Sequence, residues 1–251
     1  MERTRRDALR LAGVSVAALA AGCLDDADTP AGTPTDRPTE TSTDRPTETP
    51  PTNGQLPPDL ERVDEPPYDI TVPECGDISS DGGGRDPLYL CANMATEPSL
   101  SFEQAHTRGS VLADAGLELS DDSSGDELFA TLLTEASDLD RVDSEADGET
   151  AQLIRETDVD SHAVLVVQTG WGSGSVYPHL KRVEATGDGV HAFGCHSDPC
   201  IVTDDFTSRT TAVRFERPET LETGVVSLTV APDERWNVAA GEGVVSVPGA
   251  E

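Results

Sequence analysis

One run, His162-Ala-Val-Leu-Val-Val-Gln168, constrains the fold more than any other segment. Strand side chains alternate between two faces, so an unbroken apolar run rich in Val must be covered on both sides. A layered β structure follows. Shorter stretches extend the pattern: Tyr68, Ile70 and Val72 alternate with polar neighbours, as do Leu88 and Leu90. His179 to Thr186 and Val190 to His196 flank Gly187-Asp188-Gly189, which reads as a hairpin turn. Thr210 to Phe215, Val225 to Val230 and Val244 to Val247 complete the set. Turn chemistry every ~8–12 residues predicts a mostly β fold, an antiparallel β-sandwich or partly closed barrel. Asp126 to Val142 carries apolar residues at helical spacing, and Gly148 to Thr157 reads as a second short helix. Both are placed at an edge of the sheet.

The first residues are an address. Arg5-Arg6 precedes a short apolar run from Leu11 to Ala21, too short for the ~20 residues that span a bilayer. A charged start, a short apolar stretch and small residues make an export signal over residues 1–22, and paired arginines point to the twin-arginine (Tat) route. Leu19-Ala20-Ala21-Gly22-Cys23 resembles a lipobox, which implies cleavage before Cys23 and lipidation of its thiol, with the membrane as partner. Ala20 stands where that motif usually has Leu. From Cys23 to Pro58 the chain is a Thr- and Pro-rich stalk. Thr35-Asp36-Arg37-Pro38-Thr39-Glu40-Thr41 returns as Thr43-Asp44-Arg45-Pro46-Thr47-Glu48-Thr49. Such a segment buries too little to offset its ordering entropy, so it is expected to be extended and solvated. Residues 59–251 form the extracellular domain.

Composition narrows function. With 48 acids against 17 bases, the net charge of −31 lacks the basic footprint of a nucleic-acid binder. The exported address makes disulfides the default for Cys75, Cys91, Cys195 and Cys200. Cys75 and Cys91 bracket a Gly-rich turn, and Cys195 and Cys200 bracket a four-residue loop, so Cys75–Cys91 and Cys195–Cys200 are the expected pairs. The rival is a metal held by His191, Cys195, His196 and Cys200, but on a strand His191 and Cys195 would share one face and His196 the other. Asp143-Ser-Glu145-Ala-Asp147-Gly148 matches half a calcium loop, with Ile154 where the bidentate Glu belongs, and reads as a solvated acidic turn. Gly170-Trp171-Gly172-Ser173-Gly174-Ser175 lacks both a phosphate-loop Lys and nucleophile-elbow spacing. Its glycines are expected to permit a bulge, with Trp171 offering a contact patch.

Taken together, the twin-arginine start, the lipobox-like Cys23, the Thr/Pro/Glu stalk, Arg over Lys and the heavy acidity resemble lipoproteins of haloarchaea. That resemblance implies a membrane-tethered protein on the extracellular face, working in high salt. Asp158 to Phe215 (strand, Gly-rich turn, hairpin, strand) is similar to the C-terminal domain of the protease-complex accessory protein PrcB, with no signature residue to carry a function across. The expected function is a non-catalytic binding or structural module of the cell envelope, with no cofactor and with an envelope protein or glycan as partner. The alternative is a secreted hydrolase whose site is assembled from scattered His, Asp and Ser.

Overall fold

In the computed structural model, the described residues are 54–72, 88–120 and 123–247. They form two sheets packed face to face, a sandwich rather than a closed barrel. In chain order the elements are β1 (Val63–Asp64), β2 (Leu88–Tyr89), β3 (Phe102–Arg108), β4 (Glu127–Leu133), α1 (Ala136–Leu139), α2 (Gly148–Arg155) and β5 (His162–Gly172), followed by β6 (Pro178–Ala185), β7 (Gly189–Asp198), β8 (Thr207–Glu216), β9 (Thr223–Ala231), β10 (Glu234–Ala239) and β11 (Val244–Ser246). One sheet runs β1-β10-β9-β7-β2, with β6 also paired to β7; the other runs β11-β4-β5-β8-β3.

The Val-rich run is the middle strand, β5, of the second sheet, and both its faces are covered. Ala163, Leu165 and Val167 join Leu128, Val213 and Phe215 in the core between the sheets, against Leu180, Val190, Ala192, Val226, Leu228 and Val238. Val164 and Val166 face the other way, into a second cluster with Phe129, Leu133, Ala151 and Ile154. Helix α2 supplies Ala151 and Ile154 and so closes the outer face of this sheet.

The β6–β7 hairpin turns at the predicted glycines, with the Thr186 N–H donating to the Gly189 carbonyl at 2.8 Å. Gly189 also begins the one departure from antiparallel order among the described residues, since β7 pairs in parallel with β9 from Gly189↔Thr223 onward. Strand β8, which separates them in sequence, belongs to the opposite sheet, so β7 and β9 run the same way. A Cβ on Gly189 would lie 2.0 Å from the Thr223 carbonyl oxygen, so only glycine permits this approach.

Two expectations are corrected. The stretch 126–142 is not one helix: Glu127–Leu133 is strand β4, and only Ala136–Leu139 is helical. Strand β4 is also buried on both faces, so Leu128, Phe129, Leu132 and Leu133 lose the alternation of a one-sided strand and imitate helical spacing. Thr134 and Glu135 then end the strand by donating their N–H groups to the Asp138 carboxylate at 2.8 and 3.0 Å. Tyr68 to Val72 is not a strand either. Its alternation instead places Tyr68 and Ile70 against Leu90, Cys91, Met94 and Cys195 on the outer face of the first sheet. Gly54 to Pro58, which fall within the expected stalk, line a cavity of about 520 Å³ at the edge of that sheet.

Candidate binding surface at the loop end of the sandwich

The end of β5 is built by its glycines. Register against β8 slips between Thr169 and Gly172, as a bulge requires, and a Cβ on Gly170 would lie 2.6 Å from the Ser124 carbonyl. The bulge turns Trp171 toward β4, where its indole N–H donates to Glu127 at 2.6 Å, and the ring is half-buried rather than fully exposed. Gly174 follows and donates its N–H to Asp205 at 3.0 Å. Thr203 donates its N–H to the Ser173 hydroxyl at 3.0 Å, and its own hydroxyl reaches Asp205. Those two donors, with Arg108 at 3.5 Å, hold the Asp205 carboxyl below its usual range. Phe206 stacks on Trp171 with ring centres 5.9 Å apart.

The β7–β8 loop is therefore fixed to the β5–β6 loop at Thr203, Asp205 and Phe206, and it is bonded at Cys200, which is in a disulfide. Yet Ile201, Val202 and Phe206 are 65, 58 and 61% exposed. Apolar side chains held in water on a pinned loop are suited to contact with a partner. The His106 and Tyr177 rings stack at 3.8 Å.

The cysteine pairing is corrected. Cys91 is bonded to Cys195, 104 positions away in sequence, with Cα atoms 5.5 Å apart, so neither Cys75–Cys91 nor Cys195–Cys200 forms. Sequence nearness misleads here because β2 pairs with the end of β7, which brings Cys91 beside Cys195 on the outer face of the first sheet. Cys75, Cys23, Arg5 and Arg6 lie outside the described residues.

The possible metal ligands separate. Cys195 has no thiolate to offer, His191 and Phe193 stack on the outer face at 3.9 Å, and His196 meets the edge of the core residue Trp236 at 6.2 Å. Among the described residues no three His, Cys, Asp or Glu side chains converge as metal ligands. In the half-matched calcium loop, Arg155 donates to the Ala146 and Asp143 carbonyls at 3.0 and 2.7 Å, so a guanidinium already occupies that turn.

Among the described residues Ser161 and Ser227 each meet a histidine, and both contacts are wired differently from a hydrolytic triad. In a triad the imidazole lies between serine and carboxylate. Here Ser161 lies in the middle, donating to Asp158 at 2.9 Å and contacting His162 Nδ1 at 2.8 Å. Ser227 is buried and donates to Asn237 Oδ1, so His191 Nε2, 2.8 Å away, carries the proton and donates to Ser227. The Asn237 amide is fixed by its own N–H groups, which reach the Glu61 carbonyl and Asp64. Burial first, then Arg235 and Arg182, push His191 down to about 4, which keeps it neutral.

Sequence reading did not single out Thr203, Asp205, Phe206 or Arg209. The visible signal was Ile201-Val202 and Phe206 set in an otherwise polar, acidic segment. Comparison with protein-family models, with curated proteins and with solved structures yields no match.

Proposed function

We propose that the chain is a lipoprotein tethered to the extracellular face of the cell membrane through Cys23, and that its β-sandwich is a non-catalytic binding module of the cell envelope. The observation that carries this reading is the pinned β7–β8 loop, with Ile201, Val202 and Phe206 exposed on a segment whose backbone is already held. Preorganisation lowers the entropy cost of binding, and three exposed apolar side chains supply the area that is removed from water. The acidic surroundings, Asp204 beside Asp205, favour an envelope partner with a neutral or basic rim around an apolar spot. The miswired Ser161 and Ser227 contacts weigh against a hydrolase.

A photo-reactive side chain at Ile201 or Phe206 of the full chain, activated in the native cell, tests this. A discrete adduct is expected, absent when the probe is at Thr186 on the opposite end and lost when Val202→Asp is added. Adducts equal at both ends, or none at the loop, would overturn the reading.

A further inference from the structure

At the loop end of the inter-sheet core, three buried polar atoms lack partners among the described residues: Thr169 Oγ1, Arg209 Nε and His196 Nε2. Thr169 and Arg209 are register partners on neighbouring strands β5 and β8, and both face inward; Thr169 is 0% and Arg209 6% exposed. His196 reaches the same place from the other sheet. It is the register partner of Pro178, whose carbonyl accepts the Thr211 hydroxyl, and Thr211 stands two residues from Arg209 on the same face of β8. Leu128, paired with Thr169, and the edge of Trp236 beside His196 make the surroundings apolar.

Arg209 gives one N–H to the Gly170 carbonyl, but no ion pair joins it to a carboxylate among the described residues. Asp205, the acid whose charge reaches it, is taken by Arg108 at 3.5 Å. A guanidinium cannot shed its proton at ordinary pH, and leaving a buried cation unpaired costs several kcal/mol. Arg Nε–H and the threonine hydroxyl donate, and a neutral imidazole donates from Nε2 when that nitrogen is protonated. Gly172 leaves the guanidinium unobstructed, since a Cβ there would stand 3.1 Å from it.

From this arrangement we infer that Thr169, Arg209 and His196 form an internal site for one monovalent anion of halide size. A buried anion there balances the Arg209 charge and gives each unpartnered group an acceptor. A water molecule would satisfy the hydrogen bonds and leave the charge uncompensated. Burial first, then Arg209, push His196 down to about 3, so the imidazole is neutral there and donates to the anion in the tautomer that carries its proton on Nε2. The inference is independent of the envelope-module reading, and either can fail alone.

The test is a thermal melt of the purified full chain at fixed high ionic strength, exchanging gluconate for chloride stepwise. An anion that binds only the folded chain raises the midpoint by about 5–10 °C at 100-fold over its Kd, and the rise follows a saturating titration. Thr169→Val removes one donor at constant shape, and half-saturation is expected to need about tenfold or more chloride. Arg209→Met is expected to lose the chloride dependence altogether. Equal midpoints in gluconate and chloride, or a chloride dependence unaltered in Thr169→Val, would overturn the site. If Arg209→Met does not fold, Thr169→Val decides alone.

Discussion

Cys91 and Cys195 join the short strand β2 to the strand β7 at which both flanks of the first sheet meet, bonding residues 104 positions apart. The bond sits under Tyr68, Ile70 and Phe193, so it fastens the N-terminal segment of the domain to the outer face of that sheet.

The chain-entropy cost of closing a loop of that length in the unfolded state makes the bond worth about 4–5 kcal/mol. Cys91→Ala with Cys195→Ala should therefore lower the melting midpoint by on the order of 10 °C. Non-reducing peptide mapping should recover Cys91 joined to Cys195 and Cys200 in a separate bridge. A peptide closing Cys195 on Cys200 would refute the pairing.

The pinned loop should separate binding from stability. Val202→Asp changes an exposed side chain and is expected to move stability by no more than about 1 kcal/mol, while abolishing the adduct formed from a probe at Ile201 or Phe206. Leu165→Ala, in the core with 0% exposure, is expected to cost about 2–5 kcal/mol. A loop variant as unstable as the core variant would mean that the loop is packing rather than a contact surface.

The architecture was legible where one physical cause dominated the residue pattern. The run at 162–168 could only be a strand covered on both faces, and the 187–189 turn had its glycines. Strand β4 was hidden for the same reason that β5 was plain: two buried faces erase alternation, and without enough β-branched residues Leu-Phe-Ala-Thr-Leu-Leu reads as helix. The disulfide partner was set by which strands pair, which no local spacing encodes. At the candidate site, the bulge was readable from Gly170 and Gly172, whereas the bonds from Thr203 and Asp205 depend on two loops meeting. Arg209 was invisible because an inward-facing arginine on a strand looks like any surface one.

Acid should loosen the fold before its carboxylates titrate. Burial, the largest cause in each case, pushes His179 and His191 down to about 4 and His196 to about 3. In the unfolded chain these groups take up protons near pH 6.5, so between that pH and their folded values the unfolded state binds more protons. Stability is full above about pH 6.5 and falls as pH drops toward 4. Chemical-denaturant midpoints from pH 7.5 to 5 should decline, and His191→Gln, which keeps a donor for Ser227 without titrating, should reduce the slope. A midpoint constant over that range would contradict the neutral burial of these histidines.

Export and anchoring should depend on separate residues. Arg5→Lys with Arg6→Lys is expected to trap precursor inside the cell, because the twin-arginine receptor reads the pair specifically. Cys23→Ser is expected to release the protein from the membrane fraction without blocking export. Fractionation with antibody to the β domain measures both, and undiminished secretion of the double arginine variant would remove the Tat assignment.

Residues 59–251 carry 39 acids and 11 bases, a net −28 on one sandwich, so like charges must lie close together. Several of the arginines are already engaged: Arg62 with Glu242, Arg235 with Asp64, Arg214 with Glu103, Arg182 with Glu184 and Arg141 with Asp114. Most of the acids can have no basic partner. At 1 M salt the Debye length is ~3 Å and their repulsion is largely screened; at 0.01 M it is ~30 Å and acts across the molecule. Native stability is only about 5–15 kcal/mol, so a summed repulsion of several kcal/mol decides whether the domain stays folded. The Cys91–Cys195 bond opposes this only by constraining the unfolded chain and leaves the charge in place. The midpoint should therefore fall steeply as salt is diluted from molar to millimolar, in sodium gluconate as well as in sodium chloride, because screening depends on ionic strength and not on which anion is present. The excess of the chloride curve over the gluconate curve then measures the internal anion site. A gluconate midpoint that stays flat or rises on dilution would count against adaptation of this domain to high salt.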